Sequence, residues 1–378
     1  MTYILTKQQI TLKKEIIAFS QSELNAGVED RDRNETFDRL LWKKCGDLKL
    51  QGLCIPEMYG GRGLDFQHMV IALEALGYGC TDNGLSFSIG AHLLACTIPI
   101  LKYGSETQKR EYLPMLCGGS WIATNAITEQ KSGSDVFKMS SIAHKVKNGY
   151  ILNGEKNYCT NAPVADLAVV YAMTNEQKGA LGGISSFILE KKYFETSDKI
   201  EKMGLRTALM GDITFKDSEL PNSTLIGKEG AGTVQFTKSM MWERVGLSAI
   251  HIGTLQRLLD EVVVFVKERK ISNQSIIHHQ SIGHKLADIR TTVEAGKLLI
   301  AKAAFLIDNN LKANTAASMA KLYVSELYKN ATSNILQIYG ASGYIKNSDI
   351  ARSLRDAQSS TIYSGTSEIQ KNLILRSL

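Results

Sequence analysis

The spacing of apolar and polar positions changes twice along the chain. From residue 4 to about 118 apolar residues recur at helical spacing, as in Met69, Leu73 and Leu76. Between about 121 and 228 short runs of β-branched and aromatic residues alternate with Gly, Asn, Asp and Ser, which indicates strands and turns. After residue 230 the helical spacing returns. The pattern predicts a mainly α-helical protein with a central β domain.

These changes predict three domains: an N-terminal helical domain over residues 1–120, a middle β domain over 121–228 and a C-terminal helical bundle over 229–378. Strands are expected within residues 150–152, 167–171, 186–189 and 212–215. Asn148-Gly149 is expected to form a hairpin turn, because both residues tolerate positive φ. Long helices are expected over 234–268, 281–308, 312–339 and 364–377, which predicts a bundle.

Composition narrows the class of protein. The 378 residues are 44% hydrophobic and 22% charged, as in ordinary globular proteins. The net charge of +6 is dispersed, with no run of five or more Lys or Arg, which argues against a nucleic-acid partner. No amino-terminal signal pattern and no uninterrupted apolar stretch of about 18 residues is evident, so we predict a cytoplasmic protein without a membrane segment. The six cysteines lack a C-x-x-C pair and are expected to be reduced, and no metal motif occurs.

Two polar loops in the β region carry candidate chemistry. Residues 126–136 (AITEQKSGSDV) combine hydroxyls, small residues and backbone amides that suit a polar, planar or phosphorylated ligand. A turn that only caps a strand fits this composition equally well. Residues 153–162 (NGEKNYCTNA) follow one hairpin later and add an aromatic and a hydroxyl. Together the two loops predict one pocket.

These loops belong to an ordered series of motifs that resembles the acyl-CoA dehydrogenase family from end to end. The later members are Gly204-Leu205-Arg206, Leu220-Pro221, Arg355-Asp356 and residues 362–368 (IYSGTSE). The resemblance implies an N-terminal α-helical domain, a middle β-barrel-like domain and a C-terminal four-helix bundle. It also implies FAD as the cofactor and an acyl thioester as the substrate.

The resemblance further implies which residues contact FAD within one subunit. The T-E-x-x-x-G-S-D loop would meet the isoalloxazine edge, the pyrophosphate or the acyl chain, and an aromatic and a hydroxyl in the second loop would lie beside the ring. Two residues near the carboxyl terminus would bind the pyrophosphate and ribose. The positions are Ile127, Thr128, Gly133, Ser134, Tyr158, Thr160, Thr366 and Glu368.

Three further positions are implied to reach the FAD of a neighbouring subunit. Arg269 matches an arginine that meets the pyrophosphate, for which its forked guanidinium is suited. Gln337 and Gly340 match a segment that meets the adenine. Ser272-Asn273 replaces the usual Phe-Gly after this arginine, which leaves that contact open. Shared sites imply a homo-oligomer, with a dimer of dimers as the family's common state.

The catalytic base is displaced from its most familiar position. Abstraction of a proton α to a thioester needs a carboxylate in an apolar pocket, and many relatives place it where this chain has Ser364. A subset that resembles isovaleryl-CoA and long-chain acyl-CoA dehydrogenases takes its base from the position of Glu243. The alternative is a salt bridge of Glu243 with Arg244 or Arg257. The backbone N–H of Ser364 is implied to bind the thioester carbonyl.

Several questions of substrate and acceptor stay open in the sequence. Residues 76–85 (LGYGCTDNGL) resemble relatives that oxidise acyl or aminoacyl groups on carrier proteins, and a basic chain suits an acidic carrier. We therefore predict a carrier-bound substrate such as a prolyl thioester, with a free short or branched acyl-CoA as the alternative. The acceptor is an electron-transfer flavoprotein or oxygen, and the new double bond is C=C or C=N. A flavin monooxygenase or a non-catalytic scaffold on the same fold are further alternatives.

Overall fold

The computed structural model describes residues 5–378. Side-chain caps at Thr6, Asp65, Asp82 and Ser105 begin four of the helices in its amino-terminal part. The helices there are α1 (Lys7–Glu23), α2 (Val28–Asn34), α3 (Arg39–Asp47), α4 (Phe66–Gly79), α5 (Asn83–His92), α6 (Ile98–Tyr103) and α7 (Glu106–Cys117).

The helices α5 and α6 are joined by one wider turn, Leu93–Thr97, into a continuous apolar helix. By length and composition alone, the 21 residues Asn83–Tyr103 could cross a membrane, with a mean hydropathy of 1.6 in their most apolar window, although polar residues such as Ser88 and His92 interrupt the apolar stretch. However, 89% of that window is buried inside the protein. The segment is therefore a core helix.

A curled, mixed sheet follows. Its strands are β1 (Ala123–Ala126), β2 (Ile142–Val146), β3 (Gly149–Thr160), β4 (Leu167–Met173), β5 (Ile184–Glu190), β6 (Glu195–Thr196) and β7 (Met210–Pro221), with the short α8 (Ala180–Gly183) before β5. The order is β1-β4-β2-β3-β7-β6, with β5 paired to β4. The strands β1 and β4 are parallel, and β3 and β7 form a long antiparallel pair. All four predicted strand segments lie in these strands.

The predicted hairpin between β2 and β3 is present, but its turn residues were assigned one position too late. Val146 pairs with Gly149, so the two-residue turn is Lys147-Asn148, and neither Asn148 nor Gly149 has positive φ. Glycine is required at position 149 for another reason. A Cβ there would lie 1.9 Å from the carbonyl oxygen of Leu220 on β7. The glycine permits close approach of two strands.

The carboxyl-terminal part is helical again. Its elements are α9 (Gly232–Glu268), a small hairpin of β8 (Lys270–Ile271) and β9 (Gln274–Ser275), α10 (Gln280–Asp308), α11 (Asn314–Tyr339), α12 (Asp349–Gln358) and α13 (Ser367–Leu375). The spacing of apolar residues does not predict α12, because its ten residues include few large apolar side chains and its buried positions include the charged Arg352 and Asp356. The segment between α12 and α13 faces α9.

Two glycines bring α4 and α9 into backbone contact. A Cβ on Gly77 would lie 2.0 Å from the Ile250 carbonyl oxygen, and a Cβ on Gly253 would lie 2.0 Å from that of Glu74. The Thr254 hydroxyl also donates to the Gly77 carbonyl at 3.2 Å. Any larger side chain at either glycine would push the two helices apart. The helix α9 is thus fixed against the amino-terminal helices.

Residues 76–85 also help to hold distant parts of the chain together. Asp82 caps α5, and Asn83 donates to the Asp356 carboxylate at 2.8 Å. The amide of Leu205 donates to the same carboxylate at 2.6 Å. Three distant segments of the chain therefore meet at one buried aspartate. The polar residues of 76–85 connect these segments and do not line the cavity described below.

Candidate active site

A cavity of about 980 Å³ lies where the sheet, α9 and the α12–α13 segment meet. This volume is at the upper end of the range for small-molecule and cofactor sites, about 300–1,000 Å³. The structure brings together most of the predicted site residues in its walls. They are Ile127, Thr128, Gly133, Ser134, Tyr158, Thr160, Glu243, Ser364 and Thr366.

A buried ion pair anchors the first polar loop. Lys156 of β3 and Glu129 lie 2.8 Å apart, and both side chains are buried. The Lys156 ammonium also donates to the Ile127 carbonyl at 3.2 Å, while Glu129 accepts hydrogen bonds from Ser140 and Ser141. Although burial opposes ionisation, the Lys156 ammonium and the Ser140 donors lower the pKa of Glu129 to about 2. The hydrogen bonds from Ser140 and Ser141 to Glu129 close the loop between residues 129 and 140, and the ion pair ties this loop to β3.

Tyr158 lies on an irregular stretch of β3. The register against β7 shifts between Lys156 and Cys159, and Tyr158 has a φ of 58°. Left-handed backbone is uncommon for a bulky residue and is accommodated here by the bulge. The Tyr158 amide donates to Asp212 at 3.1 Å, and 55% of the side chain is exposed. Its ring offers a flat face to a ligand in the cavity.

The turn at Ser364 and Gly365 is fixed through its carbonyl groups. The two residues have positive φ, 55° and 89°. The Ser364 carbonyl accepts from Arg244 Nε and Gln370 Nε2, both at 3.1 Å. The Gly365 carbonyl accepts from Gln370 Nε2 at 2.8 Å and from Lys321 Nζ at 2.9 Å. Because a trans peptide points its N–H away from its C=O, the N–H groups that follow these carbonyls face away from these donors.

Glu243 lies in the cavity wall on α9. The Ser364 hydroxyl donates a hydrogen bond to its Oε1. The alternative partners are engaged elsewhere, since Arg244 donates to the Ser364 carbonyl and Arg257 pairs with Glu261. Within residues 5–378, Glu243 takes part in no ion pair at 4.0 Å or less. Its carboxylate faces the cavity and not a salt-bridged surface.

The surroundings of Glu243 favour proton uptake. Burial raises its pKa above the ordinary value, and the Ser364 hydroxyl, Arg244 and Lys321 oppose this rise. Burial and the nearby Arg244 lower the pKa of Lys321 to about 8. A carboxylate with a raised pKa in a cavity wall is suited to act as a base near neutral pH.

The cavity has features that fit a flavin dinucleotide. Thr366 caps α13 and places the amino-terminal end of this helix at the cavity, and a helix amino terminus is suited to bind a phosphate. A Cβ at Gly133 would meet no atom within 4 Å, so a ligand can approach the backbone there. Tyr158 supplies a ring surface, and Thr128 and Thr160 supply hydroxyls. These residues would hold FAD.

Four predicted residues lie outside the cavity wall. Glu368 is exposed in the first turn of α13, next to the wall residue Thr366. Arg269, Gln337 and Gly340 are exposed at the carboxyl-terminal ends of α9 and α11. These two ends are joined by the Phe265 and Tyr339 rings, whose centroids are 4.5 Å apart. The three residues share one end of the bundle.

Ser272 and Asn273, which stand where the family usually has Phe-Gly, form a regular hairpin turn. Ser272 and Asn273 join β8 to β9 and have φ values of 49° and 66°. Two successive left-handed residues are typical of the tight turn that matches strand twist. The hairpin begins directly after Arg269, which leaves that side chain exposed.

Several residues of the site were missed in the sequence. Lys321 is buried in α11 and holds Gly365. The signal for it is a lysine among the buried positions Ala317, Ala320 and Val324, where a solvated side chain is not expected. Glu129 and Lys156 had no such signal, because two polar residues in polar loops give no sign of burial.

Family models match almost the whole chain. The acyl-CoA dehydrogenase N-terminal domain matches residues 6–120, the middle domain residues 124–218 and the C-terminal domain residues 230–378. The chain belongs to the acyl-CoA dehydrogenase family, as the motif series predicts.

Its relatives include enzymes with carrier-bound substrates. An L-prolyl-[peptidyl-carrier protein] dehydrogenase of Pseudomonas fluorescens is 35% identical over 350 residues, 92% of this chain and 92% of that protein. The solved structure of the prolyl acyl carrier protein oxidase AnaB is 39% identical, with a TM-score of 0.97 over 99% of both chains. The structure described as PigA with FAD and proline is 34% identical, with a TM-score of 0.97 over 100% of this chain and 99% of that one.

Proposed function

We propose that the protein is an FAD-dependent dehydrogenase of acyl or aminoacyl thioesters, with a prolyl group on a carrier protein as its substrate. The observation that carries the chemistry is Glu243, a carboxylate without an ion-pair partner in the cavity wall, with a raised pKa. The prolyl-specific relatives support the substrate. A monooxygenase would not need such a base, and a scaffold would not need the assembled cavity.

The chain's own residues perform the proton chemistry. Glu243 takes the proton α to the thioester carbonyl, and that carbonyl is polarised by backbone N–H donation at Ser364. Tyr158, Thr128 and Thr160 orient the ring of the cofactor. When bound, FAD accepts the hydride that leaves the substrate. The protein thereby removes two hydrogens from the acyl group.

The substrate is tested by mixing the enzyme anaerobically with prolyl-carrier thioester, prolyl-CoA, isovaleryl-CoA and butyryl-CoA. We expect loss of oxidised-flavin absorbance with the prolyl carrier, and slower reduction by at least about tenfold with prolyl-CoA, because the carrier surface adds binding energy. The carrier with its phosphopantetheine arm but no prolyl group is the control. Rapid reduction by the free acyl-CoA thioesters alone would overturn the carrier assignment.

The electron acceptor is determined in the same system. Repeating the reaction in air and measuring peroxide separates an oxidase from a dehydrogenase that uses an electron-transfer flavoprotein.

A cytoplasmic location accords with six cysteines that are all unpaired.

A homo-oligomer completes the cofactor site in our proposal. Arg269, Gln337 and Gly340 share an exposed end of the bundle away from this chain's cavity, which supports a role in the site of a neighbouring subunit, in a dimer of dimers.

Replacing Arg269 with alanine is therefore expected to weaken FAD binding by about 10–100-fold, the effect of losing a charged hydrogen bond. FAD affinity is measured by fluorescence titration of the apoprotein, and subunit number by light scattering. Lys267→Ala removes a neighbouring exposed charge and serves as the control. Equal FAD affinity of Arg269→Ala and Lys267→Ala would contradict the shared site.

A further inference from the structure

The Ser364 hydroxyl is placed directly against the proposed base. Its Oγ–H donates to Glu243 Oε1 across 121 positions of sequence. No other hydrogen bond to the Glu243 carboxylate occurs within residues 5–378, so Oε2 is left available to the cavity. The hydrogen bond therefore engages Oε1 and leaves Oε2 free to meet a substrate in the cavity.

The backbone that carries the Ser364 hydroxyl is held in place by hydrogen bonds from three elements. The Ser364 carbonyl is held from α9 by Arg244 and from α13 by Gln370. The next carbonyl, of Gly365, is held from α11 by Lys321 at 2.9 Å. Three elements thus fix the turn from which the Ser364 side chain extends toward Glu243.

The backbone conformation at position 364 makes serine an unfavourable choice in itself. A φ of 55° is left-handed, where glycine has no steric cost and other residues do. Nothing in the turn geometry requires a side chain. The contact that the serine side chain adds is the hydrogen bond to Glu243.

We propose that the side chain of Ser364 is a positioning residue for Glu243: its hydroxyl holds Oε1 and presents Oε2 to the substrate proton. This inference rests on the proposed function of Glu243 as the base. It is distinct from the backbone N–H of Ser364, which every substitution at this position except proline retains.

The charged and titratable groups around Glu243 determine how the test is interpreted. Arg244 on α9 and Lys321 on α11 are the cations, while Cys96 and Tyr363 approach from the Leu93–Thr97 turn and the α12–α13 segment. Burial raises the pKa of both Cys96 and Tyr363 well above the ordinary values, so they stay neutral near pH 7. Asp356, whose pKa burial raises to about 6, lies outside the cavity wall and keeps its partners Asn83 and Leu205 in any Ser364 variant, so a shift of the acidic limb between these variants reports Glu243.

The sign of the expected shift follows from the hydrogen bond. A donated O–H favours the charged carboxylate, so its removal raises the pKa of Glu243, and proton abstraction is then lost at a higher pH. The loss of one hydrogen bond to a charged group should move the acidic limb upward by about one pH unit.

The experiment compares Ser364→Ala, Ser364→Gly and Ser364→Asn with the wild type. Alanine and glycine both remove the hydroxyl, but only glycine relieves the left-handed backbone, whereas asparagine tolerates that backbone and offers an amide donor. We measure the pH dependence of anaerobic flavin reduction. Alanine and glycine should both shift the acidic limb upward, and asparagine should restore it in part. An unshifted limb in both, or a shift in alanine alone, would overturn the inference.

A second measurement is independent of turnover. The carboxylic-acid infrared band of Glu243, isolated by subtracting the spectrum of Glu243→Gln, is titrated in the protein without substrate. Its midpoint should rise in Ser364→Ala and Ser364→Gly, and an unchanged midpoint would overturn the inference. If the midpoint rises but no thioester reduces the flavin, the proposed function fails while the hydrogen bond stands.

Discussion

Glu243→Gln is expected to slow flavin reduction by the substrate thioester by about 10²–10⁴-fold, the contribution of a general base. The amide retains the size of the side chain and its contact with Ser364 but cannot take a proton. FAD should remain bound, since the cofactor-holding residues are unchanged. Stopped-flow absorbance under anaerobic conditions measures the rate, and the visible spectrum measures the FAD content.

Glu261→Gln is the matched control for this substitution. Glu261 lies on the same helix, five turns or about 27 Å further on, and pairs with Arg257. Its replacement should leave the reduction rate within about twofold, because a partly exposed ion pair contributes little. If Glu243→Gln reduced its flavin as fast as this control, another group would have to be the base.

The second large effect is expected for Lys156→Met. Methionine leaves the Glu129 carboxylate buried without its cation, and breaking a buried pair in this way costs about 3–5 kcal/mol. The loop between residues 129 and 140 loses its attachment to β3, so FAD retention should fall together with stability. Thermal unfolding midpoints and bound FAD per subunit are the measurements.

The double variant Glu129→Gln/Lys156→Met separates charge from shape. With both charges removed, we expect most of the lost stability to return, because no uncompensated charge is buried. In the wild type, the contribution of Glu129 is present above its ordinary pKa of 4.5 and is lost as pH falls toward about 2. A single variant as stable as the wild type would show that the pair does not anchor the loop.

The order of helices and strands was predictable because it depends on local periodicity. The predicted fold class and family are confirmed, and the strands fell where β-branched runs occur. The roles of Gly149 and of residues 76–85 were not predictable from local sequence. Glycine at 149 permits close contact with Leu220, 71 positions away, and Asn83 makes a hydrogen bond with Asp356. Local sequence patterns do not indicate contacts between residues this far apart in the chain.

The candidate site divides in the same way. Its loops are recognisable because several functional residues are adjacent in sequence, as at 127–134 and 364–366. Lys321 and Lys156 are single residues whose burial depends on tertiary packing. The assignments of base and cofactor residues remain predictions, which the variants above test.

The glycine contacts between α4 and α9 bear on substrate selection. The base is mounted on a helix whose backbone touches α4, while Gly90 of α5 brings that helix close to Leu247 of α9. With the helix axes held this way, the space in front of Glu243 cannot widen by helix movement without loss of packing. Ala91 of α5 and Ala95 of the Leu93–Thr97 turn contribute small side chains to the cavity wall. We therefore expect discrimination among acyl groups to depend on the volume of these side chains, since the helices that carry them are held in place.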